Sequence, residues 1–383
     1  MPSILEYLTL GGDQVVTVPD GTYTAGFVAA DTTPAIKHPA TEGRYGGMLI
    51  LQAETPGGVR IVPTGTGATL DDHVLEMKGA ERIVLLGFRT EAVVTRLYGC
   101  KSMWWWYPDC SYPLDEHPDY PENMALSGPT TPSTFIGGTW NGRNNNLIWA
   151  GASIHDVGDD GFRISGTDDA LWQGCTWKNV AHHGYPHNQS DHFHNDCIQS
   201  TGDTLNLRVY DCHMVASNAG SNAGLMWIIE KDKNNISGEV QRLWHDGPGF
   251  GVPLQFHRRD TADAGSTVKV TLEDVWAWES VGTVTQSGSG VTLTQQNVTA
   301  AKPSGTDPAT AWRTANPYES WRTYFGFDDE PIPPEPPVDD LETRVDDLEA
   351  DVDALWRKVD DLQHRIEVAG TALLGPQTRR HES

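Results

Sequence analysis

Short phrases return along the middle of this chain with their residue types in the same order. Gly151-Ala-Ser-Ile154, Gly174-Cys-Thr-Trp177 and Asp211-Cys-His-Met214 open the series, and Glu273-Asp-Val-Trp276 and Gln296-Asn-Val-Thr299 continue it. The spacings are 23, 37, 62 and 23 residues, and the longest holds two turns around Glu239-Val-Gln-Arg242. A period near 23 with insertions is the mark of a solenoid whose turns stack on one another and ladder like residues through the core. The local pattern is β: Gln14-Val-Val-Thr-Val18, Met48-Leu-Ile-Leu51, Val59-Arg-Ile-Val62, Val74-Leu-Glu-Met77 and Arg82-Ile-Val-Leu-Leu86 are short apolar runs punctuated by Gly, Asn and Asp. A parallel β-helix over residues 31–300 is therefore expected, with a long insertion at about 100–132. A β-sandwich or propeller ranks second, because either gives even spacing without ladder-like echoes. Residues 1–30 are expected as an N-terminal cap or strand segment, and the aromatic stretch 301–330 as a cap at the other end or a subunit contact.

The period changes after a proline-rich hinge, Pro331-Ile-Pro-Pro-Glu-Pro-Pro337. Val338, Leu341, Val345, Leu348, Val352, Leu355, Val359, Leu362 and Ile366 then alternate at steps of three and four. That spacing keeps one apolar seam on a helix and demands partner helices. Val at a with Leu at d leans toward two strands, whereas Arg344-Val-Asp-Asp-Leu-Glu349, with Arg344 able to reach Glu349 across the interface, fits a trimer, the favoured reading. Residues 338–367 are read as a stalk and 368–383 as a polar tail.

The 383 residues carry a formal charge of −25, which makes nucleic acid and anionic membrane poor partners. The stalk contributes eleven acids against four bases, expected on its solvated face. No basic, apolar leader opens the sequence and no apolar run is long enough to span a bilayer, so neither a secretory signal nor membrane insertion is expected. Of five cysteines, Cys100 and Cys110 flank an aromatic loop and are able to pair, while the odd count favours buried thiols. Fourteen Trp and 39 Gly suit stacked turns better than a helical bundle.

Asp159-Asp-Gly-Phe-Arg-Ile-Ser165 and His194-Asn-Asp-Cys-Ile-Gln-Ser200 resemble the Asp-containing turns of the pectate-lyase-like β-helix proteins of phage tails, the tailspikes and minor tail proteins. The likeness spans roughly residues 40 to 300. It implies an all-β fold, a right-handed parallel β-helix solenoid followed by a C-terminal α-helical coiled coil. It also implies a homotrimeric virion component that docks to other tail or baseplate proteins and engages a host surface polysaccharide outside the cell, with no cofactor. A catalytic depolymerase, hydrolase or lyase, is the alternative within that reading. An exported bacterial β-helix enzyme is a third, at odds with the missing signal.

Aligning the two motifs sets Asp160 against Asp196, 36 residues apart, hence on neighbouring turns on the order of 5 Å apart. Two such carboxyls do not readily ionise together, which creates an acid/base couple, and about 5 Å is the retaining separation of glycoside hydrolases. Asp159 adjoins the pair, and the loop Ala181–His194 supplies His183 or His194 as proton donor or charge stabiliser. The competing reading has these Asp residues hydrogen-bonding turn amides. A metal at Asp191, His192, His194 and Asp196 is a further alternative, but no zinc-type spacing is present and no metal is expected. Asp159-Asp160 and His183-Gly184 echo two polygalacturonase motifs, while the Asn-Thr-Asp and Arg-Ile-Lys motifs are missing and His257-Arg-Arg259 replaces the latter weakly. Arg163 and the run Trp104-Trp-Trp-Tyr107 are the expected substrate contacts. Alternate residues of an extended run face opposite ways, so at least one of the three indoles must point outward, to glycan, subunit or loop.

Overall fold

The computed structural model describes residues 1–327 apart from 65–69, 113–133, 138–141, 158–159, 181–195, 216–222, 230–233, 248–252, 260 and 278–283. The hinge, the heptads and the tail lie outside the described residues.

Every named strand pairing is parallel, and the strands fall into three tracks. The first runs from Gln14–Val18 through Leu49–Ala53, Glu81–Leu86, Lys101–Trp106, Asn145–Ala150 and Ala170–Gln173 to Thr204–Val215, Asn235–Asp246, Thr267–Glu273 and Val291–Gln296. The second begins at Gly21–Thr24 and passes through Val59–Val62, Phe88–Glu91, Asp109–Tyr112, Ser153–Val157 and Thr176–Val180 into the ends of the two twelve-residue strands. The third, a sheet of nine strands, extends from Gly26–Ala29 to Val284–Ser287. Chain order visits the tracks one, two, three and then starts again one turn on. The body is thus an all-β parallel solenoid. A short helix, α1 (Leu5–Leu8), puts Ile4 and Leu8 into the core beside the first turn.

Register turns the sequence echoes into ladders. Trp105 pairs with Trp149 and Trp149 with Trp172, and their indoles stack inside the coil at 4.7 and 5.5 Å with planes within 5°. Each stacked pair contributes about 1 kcal/mol beyond its burial. The second track continues inward with Ile154, Trp177, Met214 and His245. At the corner between the two tracks the backbone turns left-handed at Gly87, Tyr107, Gly151, Gly174, Asp211, Arg242, Asp274 and Asn297, with φ between 50° and 72°. Gly, Asn and Asp tolerate this region and other residues pay for it, which is why these types dominate the series. The true repeat positions are therefore 211, 242, 274 and 297. The echoes at Glu273 and Gln296 start one residue early, since both pair in register with Gln241 rather than Arg242. The two turns expected in the long gap are present.

The aromatic C-terminal stretch corrects its expected place. Helices α2 (Pro308–Ala315) and α3 (Trp321–Phe325) lie along the outer flank of the first track, not over an open end. Asp307 caps α2 by accepting from the Thr310 amide, with Pro308 at the first position, and Gly326 closes α3 in the left-handed conformation. The physical reason is that the outward residues of the first track are themselves apolar. Ile50, Val84, Leu86, Trp106 and Ala150 form a second core with Trp312, Trp321 and Phe327.

Candidate functional site

The third track opens on the two predicted aspartates. Phe162 pairs with Ile198, Arg163 with Gln199 and Ile164 with Ser200, so the 36-residue offset is the register itself and Asp160 and Asp196 occupy one position on adjacent turns. Both are fully buried. Asp160 Oδ1 accepts the Asp196 amide at 2.9 Å, and the Gly161 amide returns to the Asp196 carbonyl at 2.8 Å. The Arg163 guanidinium reaches Asp160 Oδ2 at 2.9 Å and the Gln199 side-chain oxygen at 2.7 Å. Asp160 is thus engaged in holding two turns together and in orienting Arg163. Replacing it removes one partner of a buried pair, so Asp160→Asn is expected to cost about 2 kcal/mol. A shifted denaturation midpoint at unchanged slope would register that loss.

The expected sugar-stacking role of Trp104, Trp105, Trp106 and Tyr107 needs correction. The alternation predicted for the run holds, but the outward side is covered by the chain itself. Trp105 faces the core stack. Trp106 is fully buried and donates its indole N–H to the Tyr318 carbonyl at 2.7 Å. Trp104 stacks on Phe325 at 4.9 Å, and the Tyr107 hydroxyl donates to the Asn316 carbonyl. Trp105 and Trp106 are buried and offer no face to a ligand, while Trp104 and Tyr107 are half-buried against the C-terminal segment. Sequence reading missed this because nothing local to residues 100–107 tells which distant segment will cover them.

Asp159, His183 and His194 lie outside the described residues, as do Asp191 and His192. Among the described residues no group of His, Cys, Asp and Glu is arranged to hold a metal. All five cysteines are free and buried, so Cys100 and Cys110 do not pair, and burial pushes both thiols up to about 12. Arg258 is a turn-former that donates to the carbonyls of Ala262, Asp263 and Ser289.

His155 adds to the charged groups on the outside of the second track, which include Arg60, Arg89, Glu91 and Asp109. Its Nε2 lies 2.7 Å from Asp109 and its Nδ1 2.8 Å from Asp156, and the Asp109 contact leads in raising it to about 9. Two carboxylates around one ring hold it as imidazolium.

Thr134 pairs with Phe162 and Phe162 with Ile198, so these third-track strands start along one edge, with Asp160 just ahead of Phe162 and Asp196 at the head of its own strand. A concavity, unforeseen from sequence, lies at the opposite corner. The left-handed series changes from Gly to Asp211, Arg242, Asp274 and Asn297, and these line a cleft of about 490 Å³ with α2. That change of residue type was the available signal.

No protein-family model matches this chain, and no curated protein matches it. Among solved structures it is similar to the pectin methylesterase from Aspergillus niger, with 9% identity, TM-score 0.36 and 82% of this chain on 91% of that one. ORF18 of Geobacillus virus E2 matches with 10% identity and TM-score 0.34, over 74% of this chain and 52% of that one. The Streptococcus pneumoniae surface protein and adhesin PfbA matches with 10% identity and TM-score 0.32, over 74% and 89%.

Proposed function

We propose that this chain is the glycan-engaging body of a homotrimeric phage tail protein, presented at the virion surface and acting on the outside of a host cell. The observation that carries glycan engagement is the polar Asp160–Arg163–Gln199 network at the edge of a long parallel coil, with Asp160 and Asp196 in register on neighbouring turns. A stiff parallel coil holds such side chains on a rigid support. The −25 charge suits a neutral or cationic envelope polymer rather than nucleic acid. The heptads after residue 337 supply the trimer, and other tail or baseplate proteins are its structural partners.

Binding rather than cleavage is the activity this geometry favours, since Asp160 already serves Arg163 and the Asp196 amide. Depolymerisation stays open on one observation, the two carboxyls in register on neighbouring turns. Purified full-length protein and an Asp160→Asn/Asp196→Asn variant, incubated with bacterial envelope polysaccharides, are expected to retain polymer without releasing reducing ends or unsaturated uronate. Release by the native protein but not by the variant would instead make it a depolymerase. Failure to retain any polysaccharide would sink glycan engagement.

A further inference from the structure

The cleft at the first corner differs from its surroundings in a systematic way. Where the left-handed series is Gly, the C-terminal segment reaches the backbone: a Cβ would fall 2.8 Å from the Tyr318 hydroxyl at Gly87 and 1.9 Å from the Trp312 ring at Gly174, and Arg313 donates to the Gly151 carbonyl at 2.9 Å. From Asp211 onward the series carries side chains, and the 490 Å³ space opens between them and α2. Its walls are apolar, from Trp244, Val275, Trp276 and Trp312 together with Pro303 and Ala311. Its polar groups come from the ladder and the end of α2: Asp211, Arg242, Asp274, Asn297 and Asn316.

The charges narrow the ligand. Asp211 takes Arg242 with both oxygens, at 2.5 and 3.0 Å, which neutralises the one guanidinium of the lining. Asp274 is exposed and accepts the Asn297 side-chain amide at 2.8 Å. The uncompensated charge is therefore negative, and an anionic sugar or phosphate is repelled. A purely apolar ligand would desolvate Asp274 without replacing its hydrogen bonds. A neutral sugar has the matching two-sided character, with C–H faces for the apolar walls and hydroxyls for Asp274, Asn297 and Asn316. The volume falls within the range of small-ligand sites, about 300–1,000 Å³.

We propose that this cleft is a binding site for one or two units of a neutral glycan, separate from the edge that carries Asp160 and Asp196. It rests on the glycan-engaging reading and adds to it a second contact point and a charge preference. The full-length protein is titrated with maltose, cellobiose, lactose and, as the anionic control, glucuronic acid, followed by tryptophan fluorescence and saturation-transfer NMR. Two variants accompany it. Ala315→Trp fills the cleft from the exposed side of α2, and Asp274→Ala/Asn297→Ala removes polar partners without touching the core. Saturable binding of at least one neutral disaccharide at millimolar concentration is expected, with none of glucuronic acid, a loss in the Ala315→Trp variant and a tenfold or greater weakening in the double variant. No saturable binding of any neutral sugar, or binding unchanged in Ala315→Trp, overturns the proposal. Retention of envelope polysaccharide is measured in parallel. Native protein that retains polymer but binds no small sugar overturns the cleft alone. Cleft binding without polymer retention supports the cleft and overturns polymer engagement at the Asp160 edge.

Discussion

Gly174→Ala is expected to remove about 4 kcal/mol from a protein whose total stability is of order 10. The new methyl group would sit 1.9 Å from Cε3 of Trp312, so α2 must lift or the turn must deform. Lifting α2 also costs the Arg313 guanidinium its seats on the carbonyls of Gly151, Ala152 and Gly174, at 2.9, 2.6 and 3.1 Å. Gly57→Ala is the matched control. Its φ of 79° carries the same left-handed penalty, yet a Cβ there meets nothing within 4 Å, so only about 1 kcal/mol should be lost. Denaturant titration of both variants measures the difference, and proteolysis in the segment 308–327 should appear for Gly174→Ala alone. Equal losses at the two sites would show that backbone strain, and not the packing of α2, governs this corner.

Acid should destabilise the protein through His245. This imidazole lies inside the coil in line with Met214 and is fully buried, and desolvation lowers it to about 3, with the neighbouring His213 adding to the effect. A lowered base is neutral when folded while the unfolded chain takes up a proton from pH 6.5 downward. Between about 3 and 6.5 the unfolded state binds more protons, so stability rises with pH there and falls on acidification. The loss at pH 4.5 relative to pH 7.5 is about 3 kcal/mol from this residue. The cavity offers no retreat, since a Cβ added at Gly224 would already lie 2.3 Å from the ring. Stability measured at both pH values for the native protein and for His245→Gln isolates the contribution. The variant should lack about 3 kcal/mol of the pH dependence, and identical profiles would mean that the ring finds a proton-compatible partner when folded.

How far the sequence was legible follows from which interactions are local. Parallel turns put like residues at like positions, so Gly174, Asp211 and Trp177 announced the repeat and the Asp160–Asp196 offset before any coordinates. The register error at Glu273 and Gln296 arose because one residue decides which face a strand presents, and Glu-Asp-Val-Trp matched the phrase by composition one step early. What could not be read was the partnership of Trp106 with Tyr318, separated by 212 residues. An outward apolar face on a solenoid is compatible with a ligand, a subunit or the chain's own end, and only tertiary packing chooses. The cleft was hidden for the same reason. Pro308, Ala311, Trp312 and Ala315 of its lining belong to α2, whose position is set by glycines far upstream.

The return path of residues 308–327 has a mechanical consequence. The coil climbs away from its first turn, and then Trp312 passes Gly174, Tyr318 passes Gly87, and Phe327 arrives at Tyr45. Residue 1 and residue 327 therefore sit toward the same end. A pull between them loads the early turns and the bolted flank in shear, and the late turns from Asn235 to Gln296 carry no tension. A tether attached beyond Phe327 tugs at the base of this body, leaving its far coils slack and their surfaces undistorted under load.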